Sequence, residues 1–158
     1  MKKTKYLLII IVALLFASQS FAAWTLTPSR VGSTKHHLYW KLVMTSDGAS
    51  LAATDILQYM DAGLLPMVRS STMMIMNISP GEGSVIPNTT INITLTDAGG
   101  IAVFSETGYS KDADTVGISL ATDYNQYLPV YDTLSITMND IGDSGDQVTL
   151  FFDCWLED

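Results

Sequence analysis

One cysteine, Cys154, occurs in the 158 residues, so no disulfide can close within the chain and the fold must rest on its core. Cations are scarce: eight Lys and Arg stand against 16 Asp and Glu. Histidine occurs only at His36 and His37, whose side chains would point to opposite faces of a strand and could not share one ion. No cysteine or acid lies at the close spacing a zinc site would need around them. No serine stands in a G-x-S-x-G turn, no acid is evident near the histidines, and the Asp residues gather in turns where water solvates them. Enzymatic chemistry is therefore not expected. The longest apolar run, Tyr6 to Ala17, has 12 residues, short of the roughly 20 that a membrane-spanning helix needs. No unit of 20 to 50 residues recurs, which excludes solenoids and arrays.

That short apolar run follows a basic head of Lys2, Lys3 and Lys5 and precedes the small-residue sequence Ser20-Phe21-Ala22. The three-part order predicts a secretory signal peptide over residues 1–22, with cleavage after Ala22; an uncleaved anchor is the competing reading. A mature chain of residues 23–158 is long enough for one domain with its own core. It keeps five cations against all 16 acids, a net charge of −11. Such a surface repels phosphate backbones and anionic lipid, so nucleic acid is excluded as a partner and membrane contact is confined to the signal peptide. It suits a soluble exported protein, or one whose partner is basic or a cation.

Alternation dominates what remains. From Lys35 to Thr45, His36, Leu38, Trp40, Leu42 and Met44 fall on one face and polar residues on the other, which predicts a half-buried strand ending at the Ser46-Asp47-Gly48 turn. "SLAATDILQYMDAGLLP" is the helical candidate: Thr54 or Asp55 can cap it, and Gly63 with Pro66 would stop it after about two turns. "MVRSSTMMIMNI" is apolar on both sides in its second half, which predicts an interior strand covered on both faces. From Asn88 to Thr96, Ile91, Ile93 and Leu95 alternate with Thr90, Asn92, Thr94 and Thr96. Leu134, Ile136 and Met138 form another apolar face. In the last strand Val148, Leu150, Phe152, Cys154 and Leu156 face one way, with Thr149, Phe151, Asp153 and Trp155 facing the other. Cys154 is thereby predicted to be a buried, inert thiol. Seven or eight short strands separated by Gly/Asp/Pro turns predict an all-β fold, a single antiparallel β-sandwich, jelly-roll-like or immunoglobulin-like, with one short helix as a crossover.

Candidate contact residues follow from the same pattern. Phe151 and Trp155 put large aromatics on an outer face, where a second element or a partner would cover them. Thr90, Asn92 and Thr94 form a polar face, on a strand whose edge is a candidate for pairing with another chain. "NDIGDSGD" gathers Asp140, Asp143 and Asp146 in one turn, hard oxygen ligands that could hold calcium weakly. Their spacing does not match an EF-hand loop, and a solvated turn explains the same residues. Asn77, Asn88 and Asn92 head N-x-S/T sequons, which read as the ordinary polar usage of exposed strands. Met44, Met60, Met67, Met73, Met74 and Met76 read as core, with a second layer or a second subunit over those that face away.

Taken together, "LYWKLVMTSDGASL", "MMIMNISPGEGSVIPNTTINITLTDAGG" and "DTLSITMNDIGDSGDQVTLFF" resemble small β-rich proteins of tailed phages and prophages. The shared features are the Ser-Asp-Gly strand end, the "PG…P" turn, the "I-x-L-x-D-x-x-G" strand end and the closing hairpin. This resemblance implies a virion-associated β-sandwich of the decoration, fibre or adaptor kind. The second half is also similar to bacterial immunoglobulin-like modules. Neither resemblance carries a catalytic residue. The expected function is an exported, non-enzymatic structural or interaction protein, a virion- or surface-associated assembly subunit. Self-association or a protein partner is expected, in the periplasm, outside the cell or on a virion surface. The alternative is a secreted or periplasmic immunoglobulin-like module binding carbohydrate or protein, with calcium as a possible stabiliser and no other cofactor.

Overall fold

The computed structural model describes residues 23–81, 86–109, 116–119, 128–130 and 132–156, and the expected signal peptide lies outside them. Ten strands form two antiparallel sheets among these residues. One sheet has the order β1 (Thr25–Ser33), β2 (His37–Thr45), β10 (Gln147–Leu156), β4 (Ser71–Pro80) and β7 (Val116–Ser119), with the short β8 (Leu128–Pro129) also on β4. The other has the order β3 (Leu51–Asp55), β9 (Ser135–Met138), β5 (Ile91–Thr96) and β6 (Ala102–Tyr109). The all-β sandwich expected from the alternation is what forms.

Period-2 burial drives the layering. Leu38, Trp40, Leu42 and Met44 of β2 and Val148, Leu150, Phe152 and Cys154 of β10 are all buried, facing Ile91, Ile93, Leu95, Phe104, Ile136 and Met138 of the second sheet. Each large side chain so buried contributes about 1.5–3 kcal/mol. Trp40 and Phe152 stack at 4.0 Å between ring centroids, and the Trp40 indole N–H donates to Cys154 Sγ at 3.3 Å. Burial pushes the Cys154 thiol up to about 11, so it is the inert sulfur that its strand position predicts.

Two expectations need correction. The single helix over residues 50–66 does not form. Leu51–Asp55 is a strand pairing with β9, Ile56–Tyr59 is a 3-10 turn, and the α-helix α1 is Leu64–Arg69. Asp55 does cap, accepting from the Leu57 N–H at 3.1 Å, but what it caps is the 3-10 turn. Pro66 lies inside α1 rather than ending it, because a third helical residue needs no N–H within the helix. The start of α1 is instead held by Asp61, whose carboxylate accepts from the N–H groups of Gly63 and Leu64, both at 2.7 Å. Those two bonds hold the Asp61 pKa below its usual value.

The second correction concerns the methionines. Between β10 and β4 the register runs Asp153 to Ile75 and then Cys154 to Met73, leaving Met74 as an extra residue. This bulge lets Met73 and Met76, three apart, both reach the core with no exposed surface. Regular alternation would send one of them outward, hence the expectation of cover on both faces.

Candidate functional site

β2 and β10 are neighbours at the centre of the six-stranded sheet, and their outward side chains stand in pairs. His37 lies opposite Trp155, Tyr39 opposite Asp153, and Lys41 opposite Phe151. Asn77 of β4 lies beside Phe151. On the other side, β1 carries a bulge: Arg30 pairs with Trp40 and Gly32 with Tyr39, so Val31 is extruded and is 59% exposed. The two bulged flanking strands and the regular central pair leave a cleft of about 470 Å³. Val31, Tyr39, Asn77, Phe151 and Asp153 line it, with Trp40 and Phe152 at its base.

The aromatic and polar groups here hold one another in place. His37 Nδ1 and Asp153 Oδ1 are 3.1 Å apart, a diagonal contact across the two strands. The His37 ring stacks on Tyr39 at 5.8 Å and meets Trp155 edge to face at 5.1 Å. His36 stacks on Trp155 at 5.4 Å. Trp155 nevertheless keeps 43% of its surface exposed and Tyr39 keeps 38%. The acid that the sequence did not reveal beside the histidines is Asp153, brought there by strand pairing. Among the described residues, the His37 ring interacts with one carboxylate and two aromatic rings, and the nearby Thr34 hydroxyl accepts from the His37 backbone N–H at 3.1 Å. No protein-family model matches this chain, and no curated protein matches it.

The other sequence candidates lie elsewhere. Phe151 and Trp155 share the outer face of the six-stranded sheet, whereas Asn92 and Thr94 are on the outer face of the four-stranded sheet, with exposed Thr90 just before β5. The two sets cannot form one site. β5 pairs with β9 on one side and β6 on the other, so it offers no free edge, contrary to expectation. Its polar side chains serve the sheet. Asn92 Oδ1 accepts from the Gly108 N–H at 2.8 Å, and the Thr94 and Ser105 hydroxyls are 3.1 Å apart. Thr90 gives its carbonyl to the Asn139 amide at 2.8 Å.

The acidic turn is likewise occupied by its own backbone. Asp140 accepts from the Gly142 N–H at 2.9 Å, and buried Asp146 accepts from the Asp143 N–H at 2.9 Å. Asp143 accepts from the Asn88 side-chain amide at 3.3 Å. Among the described residues no group of three or more His, Cys, Asp or Glu could hold a metal ion. Asp140, Asp143 and Asp146 stabilise this turn through those bonds.

Proposed function

We propose that the chain is an exported, non-enzymatic interaction protein that meets its partner with the outer face of the six-stranded sheet. The observation that carries this is the open cleft over β2 and β10, where the large side chains of Tyr39 and Trp155 stay exposed on the face opposite the core. Export is the part of the proposal that rests on the first 22 residues. The absence of enzymatic chemistry rests on the buried, unreactive Cys154 and on carboxylates engaged in turns. A photo-crosslinking residue in place of Tyr39 or Phe151, in the full chain expressed in the cells that make it, should give a discrete adduct. The same residue in place of Thr94, on the opposite face, should give none. Equal labelling at the two faces, or none at either, would refute the proposal.

A second reading, an assembly subunit of a virion or cell surface, is favoured by β6. Among the described strands β6 pairs with β5 and stands last in the four-stranded sheet, and Ile101 just before it is 64% exposed. An exposed apolar side chain beside a strand at the end of a sheet is a place where a second chain can pack. Light scattering on the mature chain distinguishes the readings: a defined oligomer supports assembly, and a monomer at all concentrations retires it.

A further inference from the structure

We infer that the cleft on the outer face takes a neutral saccharide, a pyranose ring of a glycan or polysaccharide; this rests on the reading of that face as the contact surface. Three properties of the site select the ligand. The first is charge. The chain carries −8 overall, yet among the described outward residues of β2, β10 and β4 the charged groups are Lys41 and Asp153, one of each sign, with His37 beside the carboxylate. The other described acids lie in turns or on the strands β3 and β6 of the second sheet. An electrically balanced cleft has nothing to offer a polyanion and little to offer a polycation, whereas it accommodates an uncharged ligand with polar groups.

The second is chemistry. Tyr39 and Phe151 supply flat apolar surfaces, with Trp155 one pleat further along β10. Asp153 and Asn77 supply hydrogen-bonding groups between and beside them. A pyranose has the matching character: faces of C–H groups that lie on aromatic rings, and an edge of hydroxyls that both donate and accept. Asp153 accepts with two oxygens, one of them engaged by His37, so its carboxylate is oriented before any ligand arrives. Asn77 can donate and accept at neighbouring hydroxyls. The cleft, about 470 Å³, is within the range of small-ligand sites.

The third is what the site lacks among the described strands. β2, β10 and β4 are each paired on both sides, so the floor of the cleft presents no backbone edge to which an extended peptide could add as a strand; the sheet ends one strand away at β1, whose Val31 forms the rim. Recognition over that floor runs through side chains, which suits a ring better than a peptide.

The test is native electrophoresis of the mature chain through gels containing soluble neutral polysaccharides: a mixed-linkage β-glucan, an α-glucan, a mannan and a xylan. Retardation is expected in at least one of them. Phe151→Ala and Asp153→Ala should each weaken it tenfold or more, while Thr94→Ala leaves it unchanged. Asp153→Asn, which keeps the shape and one acceptor, guards against loss through misfolding and should retain a measurable part of the binding. Circular dichroism checks that each variant is folded. Mobility unchanged in all four gels overturns the saccharide inference, and so does retardation insensitive to both alanine variants. If Tyr39 or Phe151 crosslinks to a protein while all four gels give no retardation, the contact surface stands and the ligand class is wrong. If crosslinking and retardation both fail, both ideas fall.

Discussion

The turn between β9 and β10 is the place where backbone geometry can be tested most sharply. Gly142 has φ of 128° and Gly100 has φ of 76°, both in the region that side chains avoid. Their surroundings differ. A Cβ at Gly100 would meet nothing within 4 Å, whereas one at Gly142 would overlap the Asn88 side chain and come within 2.6 Å of Asp146 Oδ2. Gly100→Ala should therefore cost only its backbone strain, about 1–2 kcal/mol. Gly142→Ala carries a strain of about 1–3 kcal/mol and must also displace Asn88 and Asp146. Moving the Asp146 carboxylate from the Asp143 N–H, a charge-assisted bond, adds about 1.5–3 kcal/mol. A total near 4 kcal/mol corresponds to a drop of roughly 2 M in the urea midpoint of a domain this size. Urea titrations of both variants, followed by tryptophan fluorescence, measure the difference. If Gly142→Ala falls no further than Gly100→Ala, the close packing of this turn, and the assignment of its carboxylates to structure, are wrong.

Two more outcomes follow from the ionisable groups. With its thiol pushed up to about 11 and buried, Cys154 should resist iodoacetamide at pH 8 in the native protein and react promptly in urea; a thiolate fraction of about one in a thousand adds to the steric block. Prompt native labelling would contradict its burial. Asp61→Asn should lower the melting temperature at pH 7, because the folded carboxylate has a depressed pKa and contributes stability above its unfolded pKa. That contribution is lost as pH falls through the folded pKa, so the variant and the parent should converge in acid. A gap that widens in acid would have the wrong sign.

The strands most legible in the sequence were those with one buried and one wet face: β2, β5, β9 and β10 follow from alternation alone. Residues 50–66 mislead because Ile56, Tyr59, Met60 and Gly63 also satisfy a helical spacing. The choice between strand and helix was made by pairing of Leu51–Asp55 with β9, a partner about 80 residues away in sequence. Met73 and Met76 show the same limit, since a bulge is set by the facing strand. At the candidate site, Phe151 and Trp155 could be named from β10 by itself. Tyr39 and His37 could not be joined to them or to Asp153 on the same face, because His37 and Asp153 are 116 residues apart and meet only through the β2–β10 register. Composition reports what a face contains, and only pairing reports which faces meet.

That same register has a consequence for how the protein is made. β10 follows the other nine strands in the chain, yet it belongs between β2 and β4. Until residues 147–156 emerge, the six-stranded sheet exists as two pieces with their inner edges bare, and the cleft has neither its Phe151 wall nor its Asp153 carboxylate. Closing a pairing of such long range is slow, and stable structure should appear only after synthesis of β10 is complete. A nascent chain that stays unfolded to the end is one that a narrow translocation channel can still thread.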